Sequence, residues 1–389
     1  MNVVDKLSSR SAQAVSILDK LNDMIDGESP ETKSMKNLIA MVSQTDSTAL
    51  ILGETGTGKD IVAQAIHKCS KKKGAFITVN CAAIPTELLE TELFGHVYDA
   101  PFGISPVGLQ GLMWPKSPEI LAKAAFEHNI PFVLSTVTTA SIEKIAEISE
   151  GNAWFQLYHP AEEGVTKDIL KRTDAAGCPV LIILADVPSF GYRPRDIRNG
   201  LSMPPKMTLT NIINAMKRPH WSLKTLINGQ PGFEILKPYM PKNLNLSELA
   251  KFMDVTFSGR LNEEKIKRIR DLWKGKLVIK GAESIHDVEM ACKLGLDGVI
   301  ISNHGGRQVD VGQATIDSLK TISPLYKDKI TVMMDSGIRG GADVARVMAS
   351  GADFSFMGRT FMYGVSALGN KGGDHTIAML KKQLTQVME

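Results

Sequence analysis

From about Pro101 to the end of the chain, short apolar runs alternate with longer amphipathic stretches, the pattern of repeated strand–helix units. The runs Phe102–Pro106, Pro131–Ser135, Ala153–Tyr158, Val180–Asp186, Lys276–Lys280, Gly298–Ser302, Ile330–Asp335 and Asp353–Met357 predict eight strands. Their continuous apolar character suits parallel strands buried on both faces. Helical spacing over Ser117–His128, Ser141–Ser149, Thr166–Ala176 and Ser284–Leu294 fills the intervals between them. Such a series predicts an α/β protein, a (β/α)8 TIM barrel over residues 97–389, with a long loop or lid inserted at 199–260.

The first 96 residues carry a different pattern. Asp5–Ile25 and Glu31–Ser43 are polar and amphipathic with helical spacing, and residues 1–34 read as a helical leader. Ala49-Leu50-Ile51-Leu52 is then expected as a short strand running into Gly53-Glu54-Thr55-Gly56-Thr57-Gly58-Lys59-Asp60, followed by the helical run Ile61–Lys68. The spacing G-x-x-x-x-G-K is that of a P-loop, whose backbone amides cradle phosphates while the lysine reaches the outer ones. With Val79-Asn80-Cys81-Ala82-Ala83-Ile84-Pro85 and Glu92-Leu93-Phe94-Gly95-His96, the segment 35–96 resembles the start of the AAA+ domain of bacterial enhancer-binding transcription activators. The resemblance stops at His96. No acidic strand, sigma-contacting loop or arginine finger follows, so the expectation is a truncated remnant that hydrolyses nothing. Leu93-Phe94-Gly95-His96 also suits the approach to the first barrel strand, which implies a chimera joined within that tetrapeptide.

Composition narrows the picture further. Across 389 residues the chain is 43% hydrophobic and 22% charged with a net charge of +3, as in an ordinary soluble protein, and offers no argument for nucleic acid. Its four cysteines, Cys69, Cys81, Cys178 and Cys292, form no CxxC pair, so neither a metal site nor a disulfide framework is expected. Without a signal-like start or a long apolar run, a cytoplasmic location is the expectation.

The chemistry gathers at the carboxyl ends of the predicted strands, the catalytic face of such a barrel. After Gly298-Val299-Ile300-Ile301 comes Ser302-Asn303-His304-Gly305-Gly306-Arg307-Gln308. The histidine can move a proton near neutral pH, and the arginine can grip a carboxylate through two parallel hydrogen bonds. Gln156 and Tyr158 end the third strand, Asp186 the fourth with Arg193 in the loop beyond, and Lys280 the fifth. Asp335-Ser336-Gly337-Ile338-Arg339-Gly340-Gly341 and Gly358-Arg359 follow the last two, where TIM barrels bind phosphate.

These motifs, with Trp154-Phe155-Gln156-Leu157-Tyr158, resemble the FMN-dependent α-hydroxy acid dehydrogenases and oxidases, which include flavin-type L-lactate dehydrogenases. The resemblance covers residues from about 95 to 389. It implies oxidation of a small (S)-2-hydroxy acid by hydride transfer to flavin N5. It makes His304 the base, Asp186 its orienting partner, Tyr158 a donor near the reacting hydroxyl, and Arg193 and Arg307 the carboxylate clamp. Lys280 would sit by flavin N1 and O2, and Ser135, Gln156 and the backbone at Val107-Gly108 along the ring. Asp335, Gly337, Arg339, Gly358 and Arg359 would hold the ribityl chain and phosphate. The alternative is a nucleotide-binding regulatory fusion with an inactive barrel.

Several departures from the family pattern bear on activity. Leu184 stands where the family has a threonine contacting the ring, which implies weakened FMN affinity. The family's own N-terminal region, with a carboxylate-binding tyrosine, has no counterpart in residues 1–96, and a final segment beyond Glu389 is also expected in relatives. Gly108 lies where poorly oxygen-reactive members have glycine, implying a dehydrogenase with a quinone, rather than O2, as acceptor. The segment 199–245 carries Lys206, Lys217, Arg218, Lys224, Lys237 and Lys242 with Trp221, Phe233 and Tyr239 interspersed, suiting either peripheral contact with the inner membrane face or an active-site lid. Relatives are often homo-oligomers.

Overall fold

The eight apolar runs of the second half close into a parallel barrel. The computed structural model describes residues 17–45, 49–54, 56–70, 72, 76, 90–187, 209–229, 231–241, 246–257, 261–308 and 312–389. An antiparallel hairpin of β1 (Thr91–Leu93) and β2 (His96–Tyr98) precedes β3 (Phe102–Ile104), β4 (Val133–Ser135), β5 (Trp154–Leu157) and β6 (Val180–Leu184). After the insertion come β7 (Lys276–Ala282), β8 (Gly298–Ile301), β9 (Thr331–Met334) and β10 (Phe354–Met357). The sheet order is β3-β10-β9-β8-β7-β6-β5-β4, and a parallel bridge from Ile104 to Phe132 joins its two ends. Each strand therefore lies beside its sequence neighbours, as right-handed βα crossovers require.

Alternate residues of these strands fill the barrel. Val180 with Ile182 and Phe354 with Phe356 point inward to meet Trp154, Val278, Ile300 and Met333. The hairpin plugs the amino end of the barrel. Phe94 and Gly95 both take positive φ, 56° and 84°, the two-residue type I′ turn that matches strand twist. Leu93, Phe94 and Tyr98 thereby reach the inward layer, and Trp154 Nε1 donates to the Tyr98 hydroxyl at 3.2 Å. Burial pushes that hydroxyl up to about 12. The tetrapeptide that carries the activator motif is, in the fold, the plug of the barrel.

Residues Met1–Val79 form a separate compact unit from Asn80–Glu389. In the first unit, the helix over 17–24 and the helices Pro30–Val42 and Lys59–Cys69 share a small core of Leu21, Ile39, Ala65 and their neighbours. The strand expected at Ala49–Leu52 is not formed. Residues 49–54 carry no strand, and Leu50 and Leu52 are 83% and 82% exposed. A P-loop strand is an interior strand, and among the described residues of this unit there is no neighbour to pair with it. Lys59 Nζ instead donates to its own loop, to Gly53 O at 2.8 Å and Glu54 O at 2.6 Å.

The insertion contains helices Leu209–Met216, Pro219–Asn228 and Leu246–Thr256. Arg172 ties part of it to the barrel wall, donating to Glu143 Oε1 at 2.8 Å and to Ile235 O and the Tyr239 hydroxyl, each at 3.3 Å. No helix among the described residues is long and apolar enough to cross a membrane.

Candidate active site

The loop after β8 runs through a left-handed stretch, with φ of 55°, 69° and 70° at His304, Gly305 and Gly306. Glycine adopts this readily, but a histidine held there stores on the order of 1–3 kcal/mol of strain. Local hydrogen bonds enforce it. The His304 and Gly305 amides donate to Ser302 Oγ at 3.1 Å and Ser336 Oγ at 2.9 Å, and the Gly306 amide donates to Asn303 O at 3.0 Å. The ring is thereby turned so that Nδ1 lies 3.2 and 3.3 Å from the two carboxylate oxygens of Asp186. The tautomer that donates from Nδ1 leaves Nε2 as a lone pair, the form a general base needs.

Asp186 reaches the ring because β7 makes room for it. The β7–β8 register shifts between Lys280 and Ala282, and Gly281 between them has φ 98°. A Cβ there would lie 2.6 Å from Asp186 Cβ and 2.8 Å from its backbone nitrogen, so the position accepts glycine alone.

Lys280 projects from the same strand and is 3% exposed. Its Nζ lies 2.7 Å from Ser302 Oγ, 3.0 Å from Asp335 Oδ2 and 3.9 Å from Asp186 Oδ2. Burial works against its charge, but Asp335 and Asp186 outweigh it and hold Lys280 above its ordinary value. Burial likewise opposes the charge on Asp335, yet Lys280 and the Ser302 and Ser105 hydroxyls keep its carboxyl below the usual range. Ser105 and Ser336 donate to its two oxygens at 2.8 and 2.9 Å. One histidine, one lysine and two carboxylates thus share a single network at the barrel mouth.

Beside it three arginines gather, Arg307, Arg339 and Arg359. Arg359 opens the helix Arg359–Leu368, and its Nη2 donates to Gly305 O at 3.1 Å. A Cβ on Gly305 would sit 2.5 Å from that nitrogen, a second place where glycine permits a close approach. The Arg339 guanidinium lies 5.8 Å over the Tyr363 ring. Burial first, then the neighbouring charges of Arg339 and Arg307, push the Arg359 guanidinium below its ordinary value. Among the described residues no carboxylate pairs with Arg359.

The remaining expected residues distribute around the mouth. Ser135 ends β4 with its Oγ buried and unpartnered, and Gln156 is buried on β5. Val107 and Gly108 follow β3, and Gly337 carries φ 81° in the loop after β9. The Tyr158 amide donates to Thr136 Oγ1 at 3.0 Å, and its ring meets Phe257 edge-on at 5.7 Å. Tyr158, Leu184 and Val187 line one cavity with Phe257 and Leu261. Arg193 lies outside the described residues, and Arg307 is exposed. Sequence reasoning missed Ser105, Ser302 and Ser336, which hold the lysine, the aspartate and the loop together. Their signal was the same as for the residues it found, since each lies just past a strand's carboxyl end.

Residues 74–389 match the FMN-dependent dehydrogenase family, and residues 25–109 match the sigma-54 interaction domain. The chain is 35% identical over 301 residues to L-lactate dehydrogenases of Vibrio parahaemolyticus and Vibrio cholerae, covering 77% of this chain and 79% of each relative. Among solved structures it is similar to a monotopic membrane protein, (S)-mandelate dehydrogenase, with TM-score 0.71 and 33% identity over 77% of this chain and 79% of that one. A mandelate oxidase variant matches with TM-score 0.62 and 26% identity over 77% of this chain and 78% of that one.

The residues at the mouth fit the cofactor this family uses. The arginine cluster, with charges that repel one another at the N-terminus of a helix, is an anion site suited to a phosphate. The orphaned Ser135 Oγ offers a polar contact, and the buried Lys280 supplies a cation for a ring that gains negative charge.

Proposed function

The chain belongs to the FMN-dependent dehydrogenase family, and from that premise we propose that it oxidises a small (S)-2-hydroxy acid of the lactate type to the 2-oxo acid. The His304–Asp186 contact of 3.2 Å, set beside buried Lys280 at the barrel mouth, carries this reading. Bound FMN supplies the hydride acceptor at its N5. His304 Nε2 takes the proton of the substrate hydroxyl, a contribution of roughly 10²–10⁴-fold. Asp186 holds the tautomer and stabilises the imidazolium that forms. Arg307 and Arg193 clamp the substrate carboxylate, and Tyr158 donates to the hydroxyl. With FMN bound, Lys280 would offset negative charge developing at the N1–O2 edge, and Ser135, Gln156 and the Val107–Gly108 backbone would hold the ring. Asp335, Gly337, Arg339, Gly358 and Arg359 would hold the ribityl chain and phosphate.

For the electrons we favour a membrane quinone over O2, on the glycine at position 108. The insertion supports peripheral attachment to an anionic membrane. In Leu209–Met216 and Pro219–Asn228, Met216, Leu223, Leu226 and Ile227 are 73%, 58%, 80% and 71% exposed, next to Lys217, Arg218 and Lys224. A related mandelate dehydrogenase is described as monotopic. The segment 35–96 is read as a remnant that leaves catalysis to the barrel.

The test is anaerobic reduction of FMN-loaded protein. L-Lactate should bleach the flavin absorbance, and His304→Gln should bind flavin but bleach at least about 10²-fold more slowly. A wild-type protein that holds FMN yet is bleached by neither lactate, glycolate nor mandelate overturns the proposal.

A further inference from the structure

On the outer wall of the barrel, between the helices Ser117–Glu127 and Ile142–Ser149 and the insertion helix Pro219–Asn228, lies a groove of about 370 Å³. Its floor is apolar, formed by Trp114, Ile120 and Ile148. Its rim is cationic, formed by Lys116, Lys123 and Lys224. Lys123 has a loose exposed pair with Glu127 at 3.6 Å, whereas Lys116 and Lys224 have no carboxylate partner among the described residues. Lys116 is the N-cap residue of the helix Ser117–Glu127, in a left-handed conformation with φ 61°.

Glu119 also lines the groove; burial raises its pKa, while its own backbone amide and the charge of Lys116 work the other way. A ligand that fits must carry negative charge for the lysines and apolar length for the floor. The insertion helix that supplies Lys224 turns Leu226 and Ile227 outward, so the groove opens beside the surface read above as membrane-facing.

We propose that this groove binds an anionic phospholipid, with the phosphate held by Lys116, Lys123 and Lys224 and the first acyl methylenes lying on Trp114, Ile120 and Ile148. The proposal rests on the peripheral-membrane reading, and it gives that attachment a built headgroup site in addition to a greasy, basic surface. Charge complementarity selects the occupant, because a zwitterionic headgroup would bring its own cation into a rim already carrying three.

The experiment uses the full chain with a short-chain phosphatidylglycerol kept below its micelle concentration and brominated in its acyl chains. Bromine quenches tryptophan on contact; Trp154 and Trp273 are buried in the barrel and its wall, and Trp221, on the insertion helix Pro219–Asn228, is replaced by phenylalanine in every protein compared. Saturable quenching that disappears in Trp114→Phe is expected. Lys116→Asn, which tolerates positive φ, and Lys224→Gln should each weaken binding about fivefold. Lys267→Gln, on the helix Glu263–Leu272 outside the groove, should leave it unchanged. Equal quenching by the brominated phosphatidylcholine overturns the proposal, as does full displacement by inorganic phosphate at equal concentration, which makes this a free-anion site. Sedimentation with phosphatidylglycerol vesicles reads membrane attachment separately. Protein that pellets without preferential Trp114 quenching keeps the attachment and overturns the groove.

Discussion

Replacing Gly281 with alanine isolates the geometry on which the catalytic pair depends. The new methyl group would start 2.6 Å from Asp186 Cβ, against 3.4 Å for the closest ordinary contact, so Asp186 must retreat by about 0.8 Å. That lengthens the 3.2 Å approach to His304 Nδ1 to about 4.0 Å and breaks the hydrogen bond. Misplacement of about 1 Å near the chemistry costs roughly 10²-fold, which is the expected fall in kcat. Alanine at φ 98° also adds about 1–2 kcal/mol of backbone strain, and that part must be separated from the catalytic effect. Gly295→Ala provides the control. It has φ 68° but nothing within 4 Å of its would-be methyl, so it carries the strain without the displacement. Anaerobic single-turnover bleaching gives the chemical step, and urea midpoints give stability. A Gly281→Ala enzyme that bleaches within about threefold of wild type refutes the reasoning. A Gly295→Ala enzyme that slows equally would show that strain, and not the displaced aspartate, sets the rate.

Lys280→Met leaves Asp335 and Asp186 as buried carboxylates without their cation and should cost about 3–5 kcal/mol in urea unfolding. The Lys280–Asp335 pair also sets a pH window. Asp335 contributes fully above its ordinary value of 3.8, and the contribution is lost as pH falls through its lower folded value. Lys280 contributes fully below 10.5 and loses its contribution as pH rises through its higher folded value, so unfolding midpoints should be flat between and fall on both sides. Leu184→Thr restores a ring-facing hydroxyl and should tighten FMN binding about three- to tenfold by fluorescence titration, with unchanged affinity counting against the ring contact. Cys178, with a thiol pushed up to about 12 by burial, should resist iodoacetamide at pH 8 in the native state and react only on unfolding.

The strands were legible because parallel barrel strands are buried on both faces and leave short unbroken apolar runs between helical intervals. Every predicted barrel strand formed; most are shorter by a residue or two, as where Asp186 and Asp335 leave the sheet to face the mouth, while β7 runs two residues past Lys280 to Ala282. The motif at 302–308 declared its chemistry for the same reason, since function collects where strands end. The strand at Ala49–Leu52 failed for the opposite reason. An apolar run specifies a strand only if the chain also supplies its neighbours, and in that unit the described residues do not.

What the sequence determined by itself is therefore the local code: period, strand ends, and the residue types that move protons and grip anions. What tertiary structure decided is how those residues meet. Lys280 and Asp335 lie far apart in the chain, and their 3.0 Å ion pair exists because β7 and β9 flank β8 in a closed barrel. The left-handed turn at His304, the hole at Gly281 and the serine hydroxyls that link them are likewise set by packing. So is the second life of Leu93-Phe94-Gly95-His96, a phosphate-loop family motif in sequence and a type I′ plug in the barrel. Sequence records which side chains are available, but only burial fixes their partners, because desolvation drives most buried polar groups to find one.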